Sequence, residues 1–226
     1  MAVLVGFVAA VALCVRALYT AQAVSAFEDK SMRIVVDAGH GGIDGGVVGR
    51  TTGAKESDIN LEIAYRLHEV LTDMGFDVTM TRKTSAGLYD TTARGFKKRD
   101  MQRRKEIIQK ADPALIVSVH QNYYPSRSSR GAQVFYEKTS EGGKLLAEAL
   151  QASLNTLYQE DGVKARSVMT GDYFILKCGD CPSVIAECGF LSNARDEELL
   201  LSEVFQRKLA ESVAAGIVGY LAGSAA

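Results

Sequence analysis

A chain of 226 residues is long enough to bury one substantial core, and nothing in its composition calls for a second. Its 26 Lys and Arg nearly balance 27 Asp and Glu, for a formal net charge of −1. That balance excludes a global charge signature for nucleic acid or for a strongly anionic partner, so the partner has to be read from a site.

Residues 1–26, "MAVLVGFVAAVALCVRALYTAQAVSA", carry a single charge, Arg16, and end in small residues that suit signal peptidase after Ala23 or Ala26. The expectation is a signal peptide or an N-terminal membrane anchor, and therefore an exported, extracytoplasmic chain. The apolar run before Arg16 is short for a membrane span, while the basic start of a signal peptide is missing. This leaves an uncleaved anchor that contacts the membrane, or a true start other than Met1. Cys14 reads as apolar filler.

From Arg33 onward strands alternate with amphipathic helices. "RIVVDAGHGG" drives Ile34, Val35 and Val36 through Asp37 into His40, followed by glycines that let the backbone bend. The glycine-rich stretch "GHGGIDGGVVGR" lacks both GxxxxGK[ST] and GxGxxG spacing, which argues against phosphate binding. A helix starts near Glu56, with Ile59, Ile63, Leu67 and Leu71 on one stripe and Gly75 placed to end it. Its "HEVLT" begins like a zincin motif, but the second histidine position is Thr72, so His68 is expected on the helix surface. "FDVTMTR" follows as a half-buried strand, then "KKRDMQRRKEIIQKA" as a basic helix. The run Arg94 to Lys110 reads as a solvated face.

"ALIVSVHQN" is a buried strand running into His120. "GAQVFYE" (131–137) and "YFILK" (173–177) read as strands flanking a helix built on Leu145, Leu146, Ala149, Leu150, Leu154 and Leu157. "SVIAECGF" carries a third apolar run into Glu187, and a last helix covers about 196–221. The expected fold is a single three-layer α/β/α domain over residues 32–222. Its sheet is mostly parallel and twisted, with the catalytic site at the C-terminal strand edge, where open α/β sheets bind ligands.

Cys178, Cys181 and Cys188 cannot all pair, and a structural zinc site would need a fourth ligand that no second CxxC supplies. Free or locally paired thiols are expected. Two histidines and a carboxylate are an inventory for catalytic zinc, which leaves a fourth position for water, and His40, Glu56 and His120 fit it. Glu187 could then take a proton from water and pass it to a leaving amine. Each residue alone has a plainer reading: a strand-ending histidine is often hydrogen-bonded, and Glu56 could favour a helix N-terminus. Glu187 behind an apolar run is costly to bury without a partner.

Together "VVDAGHGGIDGGVVG", "ESDINLEIAYRL", "VTMTR", "SVHQN", "GAQVFY" and "VIAECGFLSN" resemble the zinc-dependent N-acetylmuramoyl-L-alanine amidases of the amidase-3 type, in order and over nearly the whole chain from Arg33 to Leu221. The resemblance implies one zinc ion at His40, Glu56 and His120, a catalytic Glu187, and cleavage between the lactyl group of muramic acid and L-alanine. Within the family, the lone domain, "KKRDMQRRKEII" and "SVHQN" look most like the CwlD-type germination-specific spore-cortex amidases. That implies a peptidoglycan cortex substrate, muramic-δ-lactam as the downstream product and a site in the forespore intermembrane space; the need for an accessory protein is left open by the sequence. Gln121 and Cys188 depart from residues frequent in the family. Two other readings stay open at this stage: a zinc peptidase acting within the stem peptide, and a non-catalytic wall-binding or regulatory protein.

Overall fold

The computed structural model describes residues 32–224, so the expected leader at 1–26 lies outside the described residues. Six strands, β1 (Arg33–Ala38), β2 (Asp77–Met80), β3 (Leu115–Asn122), β4 (Gln133–Tyr136), β5 (Met169–Thr170) and β6 (Ser183–Phe190), form one sheet. Their order is β2-β1-β3-β6-β4-β5, and every neighbouring pair is parallel except β4 against β6. Five α-helices complete it: α1 (Glu56–Asp73), α2 (Phe96–Ala111), α3 (Glu141–Gln159), α4 (Ala194–Leu200) and α5 (Glu203–Ser224). This is the expected three-layer α/β architecture. No helix among the described residues is long and apolar enough to cross a membrane.

Helices α1, α3 and α5 pack together over one face of the sheet. On the other face Ile108 of α2, with Ile175, Leu176 and Cys178, packs on Val35, Ile116 and Ile185 from the three central strands. Residues two apart along a strand share a face. The register therefore decides what joins that second layer: Asp37 sits beside Ser118, Ser118 beside Ile185, and His120 beside Glu187. Apolar residues deep in the strands and polar ones towards their C-terminal ends thus line up on the α2 side. Gly75 ends α1 as expected, at a φ of 91° that a side chain would resist.

Four elements differ from expectation. "YFILK" is a 3₁₀ turn, Phe174–Lys177, because it buries the consecutive residues Ile175 and Leu176 together, which an alternating strand cannot do. The last helix is two, α4 and α5, broken at Leu201 and Ser202, where the Gln206 side-chain amide donates to Leu200 O. Glu187 is the fifth of eight residues in β6, inside the strand, since β6 continues to Phe190 alongside Asn122. The basic helix α2 is not solvated all round: Asp100, Arg104 and Ile108 are buried at four-residue steps.

Candidate metal centre and cleft

Past β1 the chain turns at His40 and Gly41, and His40 adopts φ 61°, a left-handed conformation uncommon outside glycine. Two buried arginines hold that turn by its carbonyls. Arg104 donates to Ala38 O at 2.7 Å and His40 O at 2.6 Å, and Arg82 donates to Ala38 O and Gly39 O, each at 2.9 Å. Arg104 is 1% exposed and keeps its charge by pairing with Asp37 at 2.5 Å and Asp100 at 2.6 Å. Asp37 is satisfied further by Thr81 and Ser118. Burial would raise its pKa, yet Arg104 and these hydroxyls bring it down to about 2. The i, i+4 spacing of Asp100, Arg104 and Ile108 was the signal in the sequence for this clamp, masked by the surrounding exposed Lys and Arg.

Glu56 opens α1, and its carboxylate is the hub of the site. Val47 N–H donates to Oε2 at 2.8 Å, while Oε1 lies 2.9 Å from His120 Nδ1 and 3.3 Å from His40 Nε2. Burial works to raise its pKa, but the two histidines outweigh burial and hold the carboxyl far below the usual range. Gly39 and Gly46 are required by this packing, since a Cβ would collide with the His120 ring at the first and with Glu56 Oε2 at the second. The imidazoles meet edge to face with centroids 5.0 Å apart. Asp44 lies 3.1 Å from His40 Nδ1 and steers the other ring nitrogen inward.

One donor atom from each of His40, Glu56 and His120 falls within 4.8 Å of the others, so the structure brings together the three residues singled out in the sequence. Two imidazole nitrogens and a carboxylate oxygen are a donor set that fits zinc. Glu187 lines the same cleft of about 470 Å³ beside them, and its Oε2 is buried without a hydrogen-bond partner. Burial, with Glu56 adding repulsion, pushes its pKa up to about 7 against the pull of His120 and His40. Such a carboxylate can exchange a proton near neutral pH. Tyr89, Phe96, Tyr173 and Phe174 add aromatic walls to the cleft.

His68 stays half-buried on α1 and takes no part in the cluster. Cys178, Cys181 and Cys188 are all free, and burial raises their thiol pKa values to about 11, 11 and 12. Cys188 follows Glu187 on the strand, so its side chain points to the opposite face of the sheet and away from the cleft.

A profile of the N-acetylmuramoyl-L-alanine amidase family matches residues 34–218. The chain is 32% identical over 190 residues to the germination-specific N-acetylmuramoyl-L-alanine amidase of Bacillus subtilis, covering 83% of this chain and 78% of that protein. It is 29% identical over 231 residues to the amidase AmiA of Escherichia coli, covering 83% and 75%. Among solved structures, the CwlD amidase of Clostridioides difficile, determined in complex with the GerS lipoprotein, superposes with a TM-score of 0.80 at 36% identity, over 85% of this chain and 99% of that one.

Proposed function

This chain belongs to the N-acetylmuramoyl-L-alanine amidase family and is similar to its CwlD-type members, and on that premise we propose that it cleaves cortex peptidoglycan with one zinc ion held by His40, Glu56 and His120. The observation that carries the reading is the meeting of those three donors with an unpartnered buried carboxylate, Glu187, in one cleft. Zinc, when bound, supplies Lewis acidity towards the amide carbonyl and towards water. Glu187 accepts a proton as water adds to the lactyl carbonyl carbon. It then delivers that proton to the alanine nitrogen as the C–N bond breaks, leaving a lactyl carboxylate and a free amino end. The Arg82 and Arg104 clamp keeps His40 in place throughout.

Residues 32–222 act as the catalytic domain, residues 1–26 as the export signal or anchor, and the forespore intermembrane space as the compartment. A lipoprotein of the kind seen with the Clostridioides difficile enzyme is the accessory partner. Freeing the lactyl carboxyl is what a δ-lactam ring needs before it can close on the sugar amine. Digestion of purified cortex and vegetative wall by the zinc-loaded chain tests this: mass analysis should find intact stem peptides with L-alanine at the amino end. Shortened stems would establish a peptidase instead, and binding without release would refute catalysis.

A further inference from the structure

Behind the cleft, on the sheet face opposite His120, a file of buried amides leads to Glu56. Gln121 Nε2 donates to Asn60 Oδ1 at 3.1 Å, and Asn60 Nδ2 donates to Glu56 Oε1 at 3.3 Å and to Gly39 O at 3.2 Å. The Gln121 backbone N–H also donates to Glu56 Oε1, at 3.2 Å. Asn60 is 0% exposed and Gln121 3%. Two amides in such a place cost more to bury than a pair of leucines would, so they need a role that leucine cannot fill.

That role follows from the chemistry of an amide, which has an acceptor end and a donor end. Gln121 presents a donor to Asn60, so Asn60 must turn its oxygen towards Gln121 and its NH₂ towards Glu56. Glu56 Oε1 and Gly39 O, both acceptors, hold the NH₂ end, and Gln121 holds the oxygen end; without Gln121 the buried Asn60 Oδ1 loses its donor and the amide is held from one end only. The other end of Gln121 is held less firmly. Its Oε1 is buried without a conventional partner. The Cys188 thiol on the neighbouring strand β6 donates to Ala186 O at 3.5 Å and leaves Gln121 Oε1 unpartnered.

We propose that Gln121 is a positioning residue for the metal centre: acting through Asn60, it sets the orientation of the Glu56 carboxylate that aims Oε1 at His40 and His120. The proposal deepens the zinc reading above and rests on it. Outer partners of metal ligands are typically worth about 10–100-fold in metal affinity. Zinc affinity of the full chain, measured by chelator competition alongside kcat, KM and thermal midpoint, tests it. Gln121→Met keeps the volume and removes the amide; it should weaken zinc about 10–100-fold with KM for wall fragments unchanged. Asn60→Leu should lose a similar factor, and the double variant should lose no more than either single one, because both break the same relay.

Gln121→Met with the parent's zinc affinity, or losses that multiply in the double variant, would overturn the relay and leave Gln121 a packing residue. If Gln121→Met does not fold, Asn60→Asp reads the same relay: it keeps the volume, replaces the donor facing Glu56 with a carboxylate and must weaken zinc. A parent chain that takes up no zinc, or one whose uptake survives His40→Ala, overturns the metal reading itself and the proposal with it.

Discussion

Replacing Glu187 with glutamine should exchange activity for stability. In the metal-free chain, burial and the nearby Glu56 raise the Glu187 pKa from 4.5 to about 7, while unfolding restores the ordinary value. Between those two values the folded chain keeps a proton that the unfolded chain has released. Stability therefore falls as pH rises through that window, and the loss is complete above the folded value. At ~1.4 kcal/mol per tenfold in proton affinity, the displacement from 4.5 to about 7 corresponds to about 3 kcal/mol. Glutamine has nearly the same shape and no charge to desolvate, so Glu187→Gln removes this cost where the carboxylate would be ionised. Thermal unfolding of chelator-treated protein should show the variant melting roughly 6–12 °C above the parent at about pH 8. At about pH 4 the two should melt together. In the zinc-loaded state, release of stem peptide should fall about 10²–10⁴-fold, the typical worth of proton transfer by a positioned group. An equal melting difference at both pH values would refute the ionisation argument, and retained hydrolysis would refute the role of Glu187.

Other outcomes follow from the same geometry. Arg104→Met strips Asp37 and Asp100 of their buried partner and frees the carbonyls of Ala38 and His40, so denaturant titration should show a loss of about 3–5 kcal/mol. The Asp37 carboxylate contributes stability that is present above its ordinary value of 3.8 and is lost as pH falls through about 2; acid titration of the parent, compared with Asp37→Asn, checks the sign. Gly39→Ala forces a Cβ into the His120 ring, and both zinc occupancy and hydrolysis should drop although the substitution adds one methyl group. His40→Ala and His120→Ala should each lower zinc content by elemental analysis, whereas His68→Ala should not. One zinc per chain should remain after Cys178 and Cys181 are both changed to serine; a fall from two to one would establish a second site at those thiols.

The short-range pattern of this chain by itself determined its layers and its donors. Continuous apolar runs at Ile34–Val36, Leu115–Val117 and Val184–Ala186, separated by period-four helical stripes, leave little choice but a parallel sheet covered on both faces, because each run is too apolar to face water on either side. His40, His120 and Glu187 follow such runs and so fall towards one edge of the sheet, and Glu56 comes from the start of a helical stripe, so all four candidate residues are legible in the sequence. What only the tertiary structure decided depends on partners distant in sequence. Arg104 is buried because Asp37, 67 residues away, and the His40 turn wait beneath α2, and charge periodicity carries no record of either. "YFILK" coils into a 3₁₀ turn because Ile175 and Leu176 both find room over Val35, Ile116 and Ile185, overriding the β-propensity of its aromatic and branched residues. Gln121 and Asn60, 61 residues apart, become one hydrogen-bonded pair only when α1 settles on β3. Local sequence specifies which groups exist and which face they take; the pKa of Glu187 and the orientation of Glu56 are set by which groups the fold brings against them.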